Sequence, residues 1–130
     1  MAEALTYIHS PIMSKIRQAQ FVLAVVIFAV LVLIPNPSAL GLSQNDFFLH
    51  FIGNMLLILS AWVACIGRYG PIVPLIFAIP YSVALELSQF LTASRTPQLI
   101  DVLANVAGLL TGFIIALVIQ KMLTKSLKKH

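Results

Sequence analysis

Four apolar runs of about twenty residues each, separated by short loops, leave this chain few ways to fold. They read as spans over residues 16–34, 47–66, 71–92 and 99–120. At about 1.5 Å per helical residue, each is close to the roughly 30 Å thickness of a bilayer's hydrocarbon layer. The expected fold class is therefore all-α: a polytopic membrane protein with four transmembrane helices in a compact bundle. A short interfacial N-terminus, 1–15, precedes the domain at 16–122, and a basic tail, 123–130, follows it. Composition points the same way. Only 9% of residues are charged and 60% are hydrophobic, whereas soluble domains carry about 25% charged residues. No separate soluble catalytic module fits in the remaining length. The first run resembles a signal peptide, with Ser38-Ala39-Leu40-Gly41 as a poor cleavage site. Its length and the three runs behind it favour a retained span.

Local signals place the breaks. Pro35 and Pro37 end the first span, because proline has no N–H to continue the ladder. Ser43-Gln44-Asn45-Asp46 has the spacing of a capping box ahead of the second span. Gly67 to Pro71 is a tight turn. Pro74 falls in the first turn of the third span and Pro80 in its interior, which is tolerable where neighbouring helices pack over it. Thr96 suits a helix cap and Pro97 the first helical position of the fourth span.

The net charge of +4 does not imply nucleic acid, because the basic residues cluster at span ends and no basic groove or aromatic platform accompanies them. Lys15, Arg17, Arg68, Lys121, Lys125, Lys128 and Lys129 lie on one side of the four-span arrangement, with Arg95 alone on the other. By the positive-inside rule both termini are expected in the cytoplasm, with membrane lipid as a partner. Cys65 is the only cysteine, so it has no internal disulfide partner and reads as a structural thiol.

Against this oily background, Glu86 to Gly108 reads ELSQFLTASRTPQLIDVLANVAG and holds two of the chain's four acidic residues. An ionisable group inside a span costs roughly 2.5–3.5 kcal/mol and marks a functional site by default. On the second span Asp46, His50 and Asn54 recur at i, i+4 and i+8, one helical face. Glu86 and Gln89 share a face of the third, and Asp101, Asn105 and Gly108 one of the fourth. The topology puts all three faces in the outer half of the bilayer, where polar groups seek each other, and leaves the inner half almost without charge. Gly108 and Gly112 continue the last face as a G-x-x-x-G pair that permits close helix approach, and Asn54 fits the same packing role. Each residue also has a structural reading: Asp46 and Asp101 as caps, His50 and Asn54 as packing contacts, Glu86 in an ion pair, Arg95 as a solvated turn residue.

In this order these residues resemble the VanZ-like family, named for a membrane protein associated with teicoplanin resistance. The family pattern is an acid-Lys-x-x-His start to the second span, then Glu-x-x-Gln, an Arg, and Asp-x-x-x-Asn-x-x-Gly. The matches are Asp46 and His50, Glu86 and Gln89, Arg95, then Asp101, Asn105 and Gly108. Phe47 stands where the family usually has Lys, so one cationic contact is missing. The resemblance implies a four-helix protein of the bacterial plasma (inner) membrane with a link to the cell envelope or the glycopeptide response, and no established reaction.

Two functions compete. In the first, an intramembrane enzyme acts at the outer leaflet on a lipid-linked or cell-wall-derived substrate. Arg95 holds a phosphate or carboxylate, and Glu86 serves as general acid or base. His50 is the second proton-transfer group, oriented by Asp46 or Asp101, with Gln89 and Asn105 as donors to developing charge. In the second, a non-catalytic protein captures a polar headgroup or glycopeptide. Transport is weaker, since the inner half offers no polar path to a single copy; only a homo-oligomeric pore would supply one. With one imidazole among Asp46, His50, Glu86 and Asp101, no metal and no other cofactor is expected.

Overall fold

Ser10 and Pro11 start the first helix. The Ser10 side chain accepts a bond from the Met13 amide at 3.2 Å, and Pro11 occupies the first helical position, where its missing N–H costs nothing. Helix α1 runs Pro11–Leu33, α2 Asp46–Cys65, α3 Val73–Gln89 and α4 Leu99–Lys128. The computed structural model describes residues 10–34, 46–89, 91 and 98–128. Pro35, Pro37, Ser43, Arg95, Thr96 and Pro97 lie outside the described residues, as does the side chain of Asp46.

The all-helical architecture is the expected one, and the helix ends differ from the sequence reading. α1 begins five residues before position 16, inside the segment read as interfacial. α4 runs on through the basic residues to Lys128. Three helices, α1, α2 and α4, are long and apolar enough to cross a membrane, and α3 is a shorter apolar helix of 17 residues. Pro80 sits inside α3 and is exposed, so the neighbouring helices do not pack over it as expected. Large apolar side chains such as Val22, Ile76 and Leu110 point outward on α1, α3 and α4, the inverse of a soluble bundle. The chain is an integral membrane protein.

The packing centre lies on α2. Leu57 and Ile58 are almost wholly buried, with Phe28 and Val32 of α1, Ala78 and Leu85 of α3 and Leu109 of α4 around them. α4 lies along α2 closely because Gly108 and Gly112 have no side chain. A Cβ at Gly108 would stand 2.2 Å from the Phe51 carbonyl oxygen, and one at Gly112 would stand 2.6 Å from that of Met55. Gly53 does the same for α1, where the Phe28 ring fills the space a Cβ would need. Against α3, by contrast, α4 packs far more sparsely than against α2. The turn after α2 closes on Gly67 at φ 76°, where the absence of a Cβ removes the steric penalty.

Candidate functional site: a buried Glu–Asn–His chain

The close α2–α4 packing puts Asn105 beside His50 and Asn54. α3 brings Glu86 to the same place from the other side. His50, Asn54, Glu86 and Asn105 are all buried. Asn105 Nδ2 donates to Glu86 Oε2 at 2.7 Å. Asn105 Oδ1 accepts from Asn54 Nδ2 at 2.6 Å and faces His50 Nδ1 at 2.9 Å. An amide oxygen cannot donate, so His50 Nδ1 carries the proton. Bond polarity therefore runs in one direction, from His50 and Asn54 through Asn105 to the Glu86 carboxylate. Asn54 Nδ2 spends its second hydrogen on the His50 carbonyl at 2.9 Å, which locks the i, i+4 pair on one face of α2.

His50 Nδ1 stands 3.8 Å from Glu86 Oε2, too far for a hydrogen bond. Asn105 joins the two, and its amide is no proton carrier. Two acceptors at the edges of the network, Glu86 Oε1 and Asn54 Oδ1, are buried without a hydrogen-bond partner among the described residues. A buried acceptor left unmet costs about 1–3 kcal/mol, and more when charged.

Several expected roles change. His50 is held through Nδ1 by Asn105, while the side chain of Asp46, one of its two expected orienting groups, lies outside the described residues. Asp101 accepts the Gln98 amide at 3.2 Å, so it closes the first turn of α4 as a reverse capping contact and lies near that helix's positive end. Gln89 turns away from Glu86 and donates to the Val32 carbonyl at 3.3 Å, in the last turn of α1 where carbonyls lack helical partners. Asn54 is a full member of the polar chain as well as a packing residue. Among the described residues no three His, Cys, Asp or Glu side chains gather as metal ligands would.

The opposite end of the bundle holds polar contacts that the sequence reading missed. Gln20 and Ser60 bond reciprocally, at 2.9 Å to the Ser60 carbonyl and 2.8 Å from its hydroxyl. Trp62 donates to Gln120 at 3.2 Å. Arg17, read only as an orienting charge, is buried and donates to the Ile66 carbonyl just past α2. Arg17 and Gln20 on α1, like Ser60 and Trp62 on α2, do not repeat at i, i+4, so no such spacing announces them.

Between α3 and α4 a lateral groove of about 780 Å³ opens along the bundle, and Glu86 and Asn105 are part of its lining. The family model for VanZ/LLP1 matches residues 5–120, nearly the whole chain. The chain belongs to the VanZ/LLP1 family. The match spans every residue of the buried network of this VanZ-family protein. No curated protein and no solved structure matches the chain.

Proposed function

We propose that this VanZ-family protein works in the cell envelope, taking a polar group of a lipid-linked or cell-wall-derived molecule at Glu86. The observation that carries this reading is the buried carboxylate held by one oxygen, Oε2, through Asn105, with the other oxygen unmet. Such a group accepts a hydrogen bond or a proton from whatever reaches it. His50 and Asn54 hold Asn105, and Asn105 holds Glu86; these three are positioning residues. The site lies toward the α2 N-terminus, the α3 C-terminus and the α4 N-terminus. With the basic residues cytoplasmic by the positive-inside rule, that end faces the outer leaflet and both termini lie inside. Arg95, between α3 and α4 in the sequence, is the residue we assign to an anionic part of the same molecule.

A non-catalytic capture protein is the second reading. What favours it is Asn105 standing between His50 and Glu86, which denies the site a direct acid–base pair. Glu86→Gln separates the two, because the amide keeps the shape and removes the proton chemistry. The variant, matched to wild-type membrane level, is scored for teicoplanin and envelope-stress sensitivity in a deletion strain. Behaviour like the deletion supports proton exchange at Glu86. Full complementation supports capture alone.

A further inference from the structure

The α3–α4 groove has a length, a wall chemistry and one polar end. Leu75, Ile79 and Val83 of α3 face Val106, Leu110 and Phe113 of α4 across it. Val83 and Val106 are 53% and 49% exposed, so in a membrane these walls meet lipid. From Leu75 to Leu87 the groove follows α3 for about 18 Å at 1.5 Å per residue. One leaflet's hydrocarbon is half of the roughly 30 Å layer, about 15 Å. Measured from Glu86 inward to Leu75 the groove runs about 17 Å, close to the reach of one lipid chain, whose length is that of a leaflet. Its polar lining, Ser82, Glu86, Gln98 and Asn105, gathers toward the end where α3 stops and α4 starts. A second copy docked here about a twofold axis would set two Glu86 carboxylates against each other, an unfavourable like-charge contact.

We propose that this groove seats the hydrocarbon chain of a membrane lipid that enters sideways from the bilayer, its headgroup giving a hydrogen bond from a hydroxyl or ammonium to the Glu86 carboxylate. The proposal rests on Glu86 being the acting group and names what reaches it. The unmet Oε1 supplies the headgroup requirement, since an acceptor needs a donor. The apolar walls supply the chain requirement, as in ligand sites of roughly 300–1,000 Å³ that are mostly hydrophobic with a few placed polar groups.

The test is photo-crosslinking of the full chain in liposomes containing phosphatidylethanolamine with a diazirine in its acyl chain, with labelled positions read by peptide mass spectrometry. Labels are expected on residues 75–87 and 102–113. The phosphatidylcholine analogue, whose headgroup has no N–H donor, is expected to label the groove roughly tenfold less, as a lost charge-assisted hydrogen bond requires. Val106→Trp and, independently, Val83→Trp fill the groove from outward-facing positions. Each is expected to abolish groove labelling and to lose complementation while Glu86 and Asn105 are untouched. Labels spread evenly over the lipid-facing residues of all four helices overturn the proposal, and so do two filled variants that label like wild type. Equal labelling by the two lipids overturns the headgroup assignment. Copy-to-copy disulfide trapping through Val106→Cys would give the groove to a second protomer and overturn the lipid. The Glu86→Gln complementation result is read separately, so the groove and the site can fail independently.

Discussion

The two sides of α4 are built on opposite plans. Toward α2 it has glycines, backbone-to-backbone approach and the polar chain from His50 to Asn105. Toward α3 it has branched aliphatic side chains standing apart across a groove of about 780 Å³. Glu86 reaches across the open side to the residue that the closed side holds still. The contrast teaches how a membrane site can be both pre-set and reachable: one seam fixes the acceptor's partner, and the other leaves a way in from lipid.

Breaking the closed seam should have the largest effect. Gly112→Val would drive a side chain into the Met55 carbonyl and Ile58, with a cost of at least about 3 kcal/mol. Protein level in the membrane and the unfolding midpoint in detergent should both fall; an unchanged midpoint would mean that the glycines are not what holds α4. Asn105→Ala comes next. It strips partners from Glu86 Oε2, His50 Nδ1 and one Asn54 N–H together, and with local relaxation should cost about 2–3 kcal/mol by the same unfolding measurement, along with complementation. Glu86→Gln should shift stability by less than about 1 kcal/mol, since the amide can still accept from Asn105, so any loss of function there is chemical. Ser60→Ala, in the reciprocal pair with Gln20 at the other end, should cost about 1 kcal/mol and leave complementation at wild-type level. A functional defect in Ser60→Ala would spread the site through the membrane and weaken the contrast.

The helices were legible because apolar runs near twenty residues allow little else, and the polar faces because i, i+4 repeats survive in an oily background. What was lost is azimuth. Glu86 and Gln89 are three residues apart, so they point about 60° away from each other around the axis. On α3 that angle separates α4 from α1, and Gln89 goes to Val32 while Glu86 goes to Asn105. Asn105 as the hub was equally hidden. Its neighbour Asp101 is the more conspicuous residue, yet it spends its carboxylate on the Gln98 amide of its own helix. Gly108 and Gly112 could be read as a pair, while Gly53 stands alone and its contact with Phe28 has no spacing to betray it. The early start of α1 was written in Ser10-Pro11, a cap followed by an N1 proline, on a stretch too polar to read as span.

The brevity of α3 reaches beyond the protein. Seventeen residues rise about 26 Å, some 4 Å less than the roughly 30 Å of hydrocarbon around them. Where a bilayer meets such a span by thinning beside it, headgroups and their water dip on the flank that carries Glu86, and the depth of the carboxylate is set partly by the membrane it bends.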